Sequence, residues 1–157
     1  MPEAIVTVGI SASGKTTWAE SFTQYHEVGD WVNINRDDIR FNTFCRGVRD
    51  WNLYKWKRSK ENRVTEIYNQ MIDEAYKEGL NIVCSDTNLN GKYRDRLISR
   101  LEDLGYDVRI KEFPVTLEEA WKRDARRNNG VGHEAIYKQW QRWLDYKGRK
   151  KIYSRRE

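Results

Sequence analysis

At 157 residues, 38% hydrophobic and 13% aromatic, the chain suits one compact domain, residues 1–157, whose core leans on large rings. No run approaches the apolar length of a membrane span, no charged-then-apolar segment marks a secretory leader, and Cys45 and Cys84 form neither a disulfide framework nor a zinc pattern; a reducing cytoplasm and no membrane partner are expected. The net charge of +5 is concentrated, because residues 45–63 and 146–157 each sum to +5 and leave −5 elsewhere, which favours a polyanionic partner.

Residues 4–8 are short, apolar and β-branched and read as a strand ending at Gly9. There follows Gly9-Ile10-Ser11-Ala12-Ser13-Gly14-Lys15-Thr16-Thr17, a phosphate loop opening the helix predicted over Lys15–Tyr25. Gly9 allows the tight turn, and Gly14 lets the backbone approach phosphates that accept from the N–H groups of Ser11, Ala12, Ser13 and their neighbours. Lys15 reaches the β- and γ-phosphates, Thr16 offers a hydroxyl to Mg²⁺, and the helix points its positive end at the anion. Bound ATP with Mg²⁺ is therefore expected.

A second strand, 31–34, follows the turn signal Val28-Gly29-Asp30 and leads into Asn35-Arg36-Asp37-Asp38-Ile39-Arg40. The carboxyl end of this strand should face the phosphate loop. A phosphotransferase needs a carboxylate beside its acceptor hydroxyl and positive charge near a phosphorylated acceptor. Asp37 and Arg40, three apart, share a helical face, with Arg36 beside them. The structural alternative is that one Asp caps the following helix, Asp38 being the free one, with the arginines solvated.

Trp51, Tyr54 and Trp56 interleave with Lys55, Lys57 and Arg58, a composition that stacks single-stranded bases, unless the rings are core. A long helix over 59–78 carries Val64, Ile67, Met71, Ile72 and Ala75 at helical spacing and stops at Gly79. The strand 81–85 ends in Asp86-Thr87-Asn88, where a phosphate-loop enzyme places the second carboxylate of its Mg²⁺ site, usually acting through water; a plain strand-end turn is the alternative. A helix over 91–104 and a strand over 106–113, alternating Val108 and Ile110, come next. The helix over 117–127 puts Arg123 and Arg127 on one face. Such a pair on a flap can close over ATP and neutralise charge during transfer. The loop 128–132 reads as flexible. The helix over 134–146 carries a packing stripe of Ile136, Trp140, Trp143 and Leu144, and residues 148–157 read as a basic tail, a candidate for disorder. His26 and His133 have no second ligand nearby and receive no role.

Strands alternating with helices predict an α/β fold of the P-loop NTPase type: four to five parallel strands with helices on both faces. The order Gly-x-x-x-x-Gly-Lys-Thr-Thr-Trp-Ala, Asn-Ile-Asn-Arg-Asp-Asp-x-x-Arg, Ser-Asp-Thr-Asn-Leu-Asn, then Lys-Arg…Arg resembles the 5′-kinase domain of the T-even bacteriophage polynucleotide kinase family, over about residues 5–144. The resemblance implies phosphoryl transfer from ATP to the 5′-hydroxyl of DNA or RNA in nucleic-acid end repair, in the host-cell cytoplasm if phage-encoded. It implies that Asp37 is the general base and that Arg40 grips the acceptor phosphate. Arg123 and Arg127 become the lid arginines, with Arg127 on the donor phosphates; Asp86 lies in the acceptor site or near the metal, with Thr87 and Arg36 beside the substrate.

The chain departs from the family in three places. It holds no Asp-x-Asp-Gly-Thr motif, so 3′-phosphatase activity is expected to be absent. Its phosphate loop reads Ile10-Ser11-Ala12 without the Pro-Gly of relatives. The segment after Arg127 differs, which affects base contacts from the lid. The rival readings are a small-molecule P-loop kinase (nucleoside, sugar or adenylylsulfate) and a nucleic-acid-binding ATPase. The basic 45–63 segment argues against the first, and the Asp37–Arg40 acceptor site against the second.

Overall fold

The computed structural model describes residues 1–25, 30–127 and 130–156. Its elements run β1 (Glu3–Val8), α1 (Lys15–Tyr25), β2 (Trp31–Ile34), α2 (Arg36–Phe44), α3 (Arg58–Lys77), β3 (Asn81–Cys84), α4 (Gly91–Leu104), β4 (Asp107–Glu112), α5 (Leu117–Ala125) and α6 (His133–Arg156). Five consecutive residues of β1, from Ala4 to Val8, are buried, so this strand is covered on both faces. It lies inside a sheet of order β2-β3-β1-β4 in which every pairing is parallel. The described residues form four strands, the lower of the two expected numbers.

Side-chain alternation along β1 and β3 splits the core. Ala4, Val6, Ile82 and Cys84 pack with Val64, Tyr68, Ile72 and Ala75 of α3 and Leu101 of α4. Ile5 and Val83 point the other way, onto Ala19, Trp18 and Phe22 of α1. Helices thus cover both faces, as an α/β crossover architecture requires. A third cluster, at the carboxyl ends of the strands, joins Val8 and Ile10 to Ala120 of α5 and Ile136 and Trp143 of α6.

Four expectations need correction. The alternation in β4 does not bury Ile110, which is 46% exposed because β4 is an edge strand. Leu144 is 47% exposed; the buried stripe of α6 is Ile136 and Trp143, with Trp140 packed alongside. No Asp caps α2: the N-cap is Asn35, whose side chain accepts from the Asp38 N–H. Its amide in turn donates to the Asp38 carboxylate at 2.9 Å, so cap and third residue satisfy each other. Helix α6 continues to Arg156, through most of the segment read as a tail. The turn at 26–29, with His26, and residues 128–129 of the lid loop lie outside the described residues. Among the described residues no helix is long and apolar enough to cross a membrane.

Candidate active site

The loop between β1 and α1 is shaped by two close demands. A Cβ on Gly9 would stand 3.0 Å from both Phe113 Cβ and Ser13 Oγ, so the strand exit has no room for a side chain. Gly14 sits at φ 98° with open space around it, the conformation that turns backbone N–H groups inward. Ala12 is held at φ 64°, a left-handed conformation that is costly for an L-residue. Lys15, 6% exposed, donates to Ile10 O at 2.5 Å and to Ser13 Oγ at 3.4 Å. Burial, aided by Arg127 and opposed by Asp86 and Asp37, brings its ammonium down to about 7.

Opposite the loop stands the carboxyl end of β3. Thr7 Oγ1 donates to the carbonyls of Cys84 and Asp86, and Asn88 Nδ2 donates to Thr7 O at 2.8 Å. Gly9 N–H donates to Thr87 O. These bonds pin the Asp86-Thr87-Asn88 turn against the phosphate loop. Asp86 Oδ1 accepts from Arg36 N–H at 2.8 Å. Burial nevertheless raises the Asp86 carboxyl to about 6, with the Arg36 N–H opposing and Asp37 adding to the rise.

Between them lies a cleft of about 1040 Å³. Ser11, Ala12, Lys15, Thr16, Thr17, Arg36, Asp37, Arg40, Asp86, Thr87 and Arg127 line it together, although they come from four separate motifs. Gly9, Ser13 and Gly14 shape the loop from behind. Arg123 does not line the cleft: it pairs with Glu119 at 3.1 Å and donates to Ala12 O at 3.2 Å, bracing the loop through a backbone carbonyl. Arg127 of the pair faces the cleft.

Behind Arg40 stands a residue that no motif announces. Glu61, one turn into α3, accepts from Arg40 Nε at 2.9 Å and Nη2 at 2.7 Å, a fork-on-fork pair. Arg40 Nη1 donates to Asp37 Oδ1 at 2.7 Å, and the buried Tyr54 hydroxyl donates to Glu61 Oε2 at 2.5 Å. Hydrogen bonds from Arg40 hold the Glu61 carboxyl down to about 2, against the opposing effect of burial. Burial works against the Arg40 charge as well, yet Glu61 and Asp37 raise its pKa above the usual guanidinium value. Burial and the bond to Glu61 push the Tyr54 phenol up to about 12. Arg40 is thus aimed by Glu61 while three of its five N–H groups are engaged, leaving two for a ligand. Phe41, Arg49, Trp51 and Gln139 also line the cleft without having been singled out as its lining; Gln139 Oε1 accepts from Ser11 N–H at 2.7 Å.

Residues 5–148 match the family model described as an AAA domain. The chain belongs to this family. Within it, the resemblance to polynucleotide kinases is borne out by homology. The chain is 33% identical over 150 residues to a protein of Autographa californica nuclear polyhedrosis virus named as a candidate bifunctional polynucleotide kinase/RNA ligase. That match covers 90% of this AAA-domain chain and 21% of the relative. It is 26% identical over 141 residues to the L-seryl-tRNA(Sec) kinase of Methanococcus maripaludis, covering 88% of this chain and 51% of that one. The chain thus spans about a fifth and about half the length of these two curated relatives. Among solved structures, a chain of the Pnkp1/Rnl/Hen1 RNA repair complex superposes with a TM-score of 0.79 at 25% identity, over 95% of this chain and 46% of that chain. The Mycobacterium tuberculosis APS kinase CysC, at TM-score 0.59 and 13% identity, covers 80% of this chain and 69% of its own and shares the fold.

Proposed function

We propose that the chain is an ATP-dependent polynucleotide 5′-hydroxyl kinase acting on DNA or RNA ends in nucleic-acid repair. The observation that carries this reading is the shared cleft: Lys15 and Arg127 on a donor side, the Asp37–Arg40 pair on an acceptor side. A nucleic-acid-binding ATPase has no need of the second pair.

The loop N–H groups, Lys15 and Arg127 bind the triphosphate. Thr16 and Asp86 both line the cleft beside Lys15, and a hydroxyl with a carboxylate is the hard-oxygen set that Mg²⁺ takes beside phosphate oxygens. Thr16 and Asp86 would hold Mg²⁺ there, and the ion would supply charge neutralisation to the phosphates. Arg40, with its two remaining N–H groups, and Arg36 hold the acceptor phosphate. Asp37 Oδ1 is occupied by Arg40, so Oδ2 accepts the proton of the 5′-hydroxyl. The hydroxyl oxygen bonds to the γ-phosphorus in line as the bond to the β-phosphate oxygen breaks; ADP leaves and Asp37 carries the proton away. Lys15 and Arg127 face the charge that gathers on the transferring group.

The test is transfer of labelled γ-phosphate to a 5′-hydroxyl oligonucleotide beside nucleosides, sugars and adenylylsulfate, with Lys15→Ala as the ATP-site control. Asp37→Asn is expected to cut kcat by roughly 10²–10⁴, the usual range for loss of a general base. Asp38→Asn is expected to keep most activity, because Asp38 faces Asn35 and Arg49. Preferred transfer to a small molecule would overturn the reading, and a larger loss in Asp38→Asn would move the base.

A further inference from the structure

The connection between α2 and α3 has two sides. Inward, Trp51 packs on Phe41 with ring centroids 4.7 Å apart, and Trp51 and Arg49 line the cleft. Tyr54 is buried, with its hydroxyl on Glu61. These contacts settle the role of two of the interleaved aromatics: they hold the connection against the acceptor end. Outward, the same stretch is different. Trp56 is 66% exposed, Val48 and Leu53 are about half exposed, and Arg46, Lys55, Lys57 and Arg58 all face solvent. Among the described residues no ion pair engages Arg46, Lys55, Lys57 or Arg58.

This charge is placed against local preference. Lys57 is the N-cap of α3 and makes no side-chain capping bond, Arg58 and Lys60 stand in its first turn, and the carboxylate of that turn, Glu61, is taken up by Arg40 and Tyr54. Cations gathered at the positive end of a helix repel it and one another unless an anion lies over them. The groups that aim Arg40 are fixed by the same stretch: Tyr54 directly precedes Lys55, and Glu61 is one turn beyond Arg58.

We propose that the outward face of residues 46–58 carries the acceptor strand beyond its reacting nucleotide, with Lys55, Lys57 and Arg58 on successive phosphates and Trp56 as a platform on which a base stacks. This rests on the reading of the cleft as a polynucleotide 5′-hydroxyl kinase site. Single-stranded nucleic acid is the occupant because it alone offers regularly spaced anions and flat unpaired rings together. The consequence is that affinity grows with acceptor length past the first nucleotides while turnover does not.

The experiment compares the protein with a Lys55→Ala/Trp56→Ala/Lys57→Ala variant, all three residues being exposed and outside the cleft. Steady-state kinetics use a dinucleotide and a twelve-nucleotide 5′-hydroxyl acceptor; binding uses a fluorescent 5′-phosphorylated twelve-mer, which cannot be turned over. The wild type is expected to show a KM at least tenfold lower for the long acceptor. In the variant that advantage falls to about twofold, with kcat and the dinucleotide KM unchanged. The slope of log affinity against log salt should shrink by about 1.4, roughly 0.7 for each of two lysines on a single strand. A variant that keeps the full length advantage and the wild-type salt slope overturns the proposal and leaves the face to a protein partner. If the wild type phosphorylates no oligonucleotide, the kinase reading fails; the twelve-mer measurement then still decides whether this face binds strands.

Discussion

Glu61 sits 21 residues beyond Arg40 and takes the Nε–Nη2 edge of its guanidinium, so the direction in which Arg40 points is set from a different helix. An arginine near two carboxylates can collapse onto either one. Here Glu61 takes the bidentate share and Asp37 a single bond, which leaves Asp37 Oδ2 outside the pair. Glu61→Gln removes the charge and turns one oxygen into a donor facing Arg40. A charge-assisted pair is worth about 1.5–3 kcal/mol, so KM for an oligonucleotide acceptor should rise roughly 10- to 100-fold. KM for ATP should barely move, since Lys15 and Arg127 do not touch Glu61. Tyr54→Phe deletes one bond to the same carboxylate and should show the same split at about a tenth of the size. Equal losses for donor and acceptor in Glu61→Gln would mean that Glu61 holds the fold of the cleft rather than the aim of Arg40.

At the scale of elements, the segment that carries Arg127 depends on one turn. Asp124, buried near the end of α5, accepts from Val131 N–H at 2.9 Å and Gly132 N–H at 3.0 Å. A Cβ on Gly130 would stand 2.6 Å from Asp124 O, so the backbone crosses there too closely for any other residue. Arg127 lies within this closed turn and faces the cleft. Asp124→Ala leaves two backbone donors without a partner, and Gly130→Ala forces the crossing apart. Both should raise KM for ATP several-fold and speed hydrogen exchange at residues 124–127 and 130–132, while acceptor KM stays put. A change in acceptor KM alone would contradict the assignment of this turn to the donor side.

The same elements show what could be read from the sequence. The strands and the long helices were legible because β1 and β3 are unbroken apolar runs and α3 repeats its apolar residues at helical spacing. Helix α2 was read only as a helical turn around Asp37 and Arg40 and not as far as Phe44, because its buried residues Ile39 and Phe41 are two apart, a spacing that carries no helical signal. The motif residues lining the cleft were legible one by one, since most follow the end of a strand and Arg127 was read from its helical spacing to Arg123. Their mutual bonds were not: Glu61 lies in a helix whose pattern speaks only of packing, and Gln139 on a helix read for its tryptophans. Asn88 looked like part of a binding string, but its amide closes the turn onto Thr7, a role that needs the register of β1 and β3 to be seen.

Across the whole molecule, a chain of net charge +5 collects Asp37, Asp38, Glu61 and Asp86 at one end of its sheet. Two of these carboxyls respond to folding in opposite senses. Glu61, held down to about 2, contributes stability present above pH about 4.5 and lost as pH falls toward 2. Asp86, raised from 3.8 to about 6, does the reverse: the native state holds its proton more tightly than the unfolded chain, so stability is lost as pH rises from about 4 through 6. Above pH 6 the free protein carries a buried carboxylate against Asp37, a cost on the order of 1–3 kcal/mol. Asp86→Asn keeps an oxygen for the Arg36 N–H and removes the charge. At pH 8 Lys15, pushed down to about 7, is mostly neutral and loses little by losing this partner. The variant should therefore melt several degrees higher than the wild type at pH 8, the advantage fading to nothing by pH 4.5, while Mg²⁺-dependent turnover collapses at every pH. The check is a pair of melting curves across that range beside activity measurements. A variant less stable than the wild type at pH 8 would show Asp86 to be held as an ion pair with Lys15 rather than as a destabilising charge kept for the ligand.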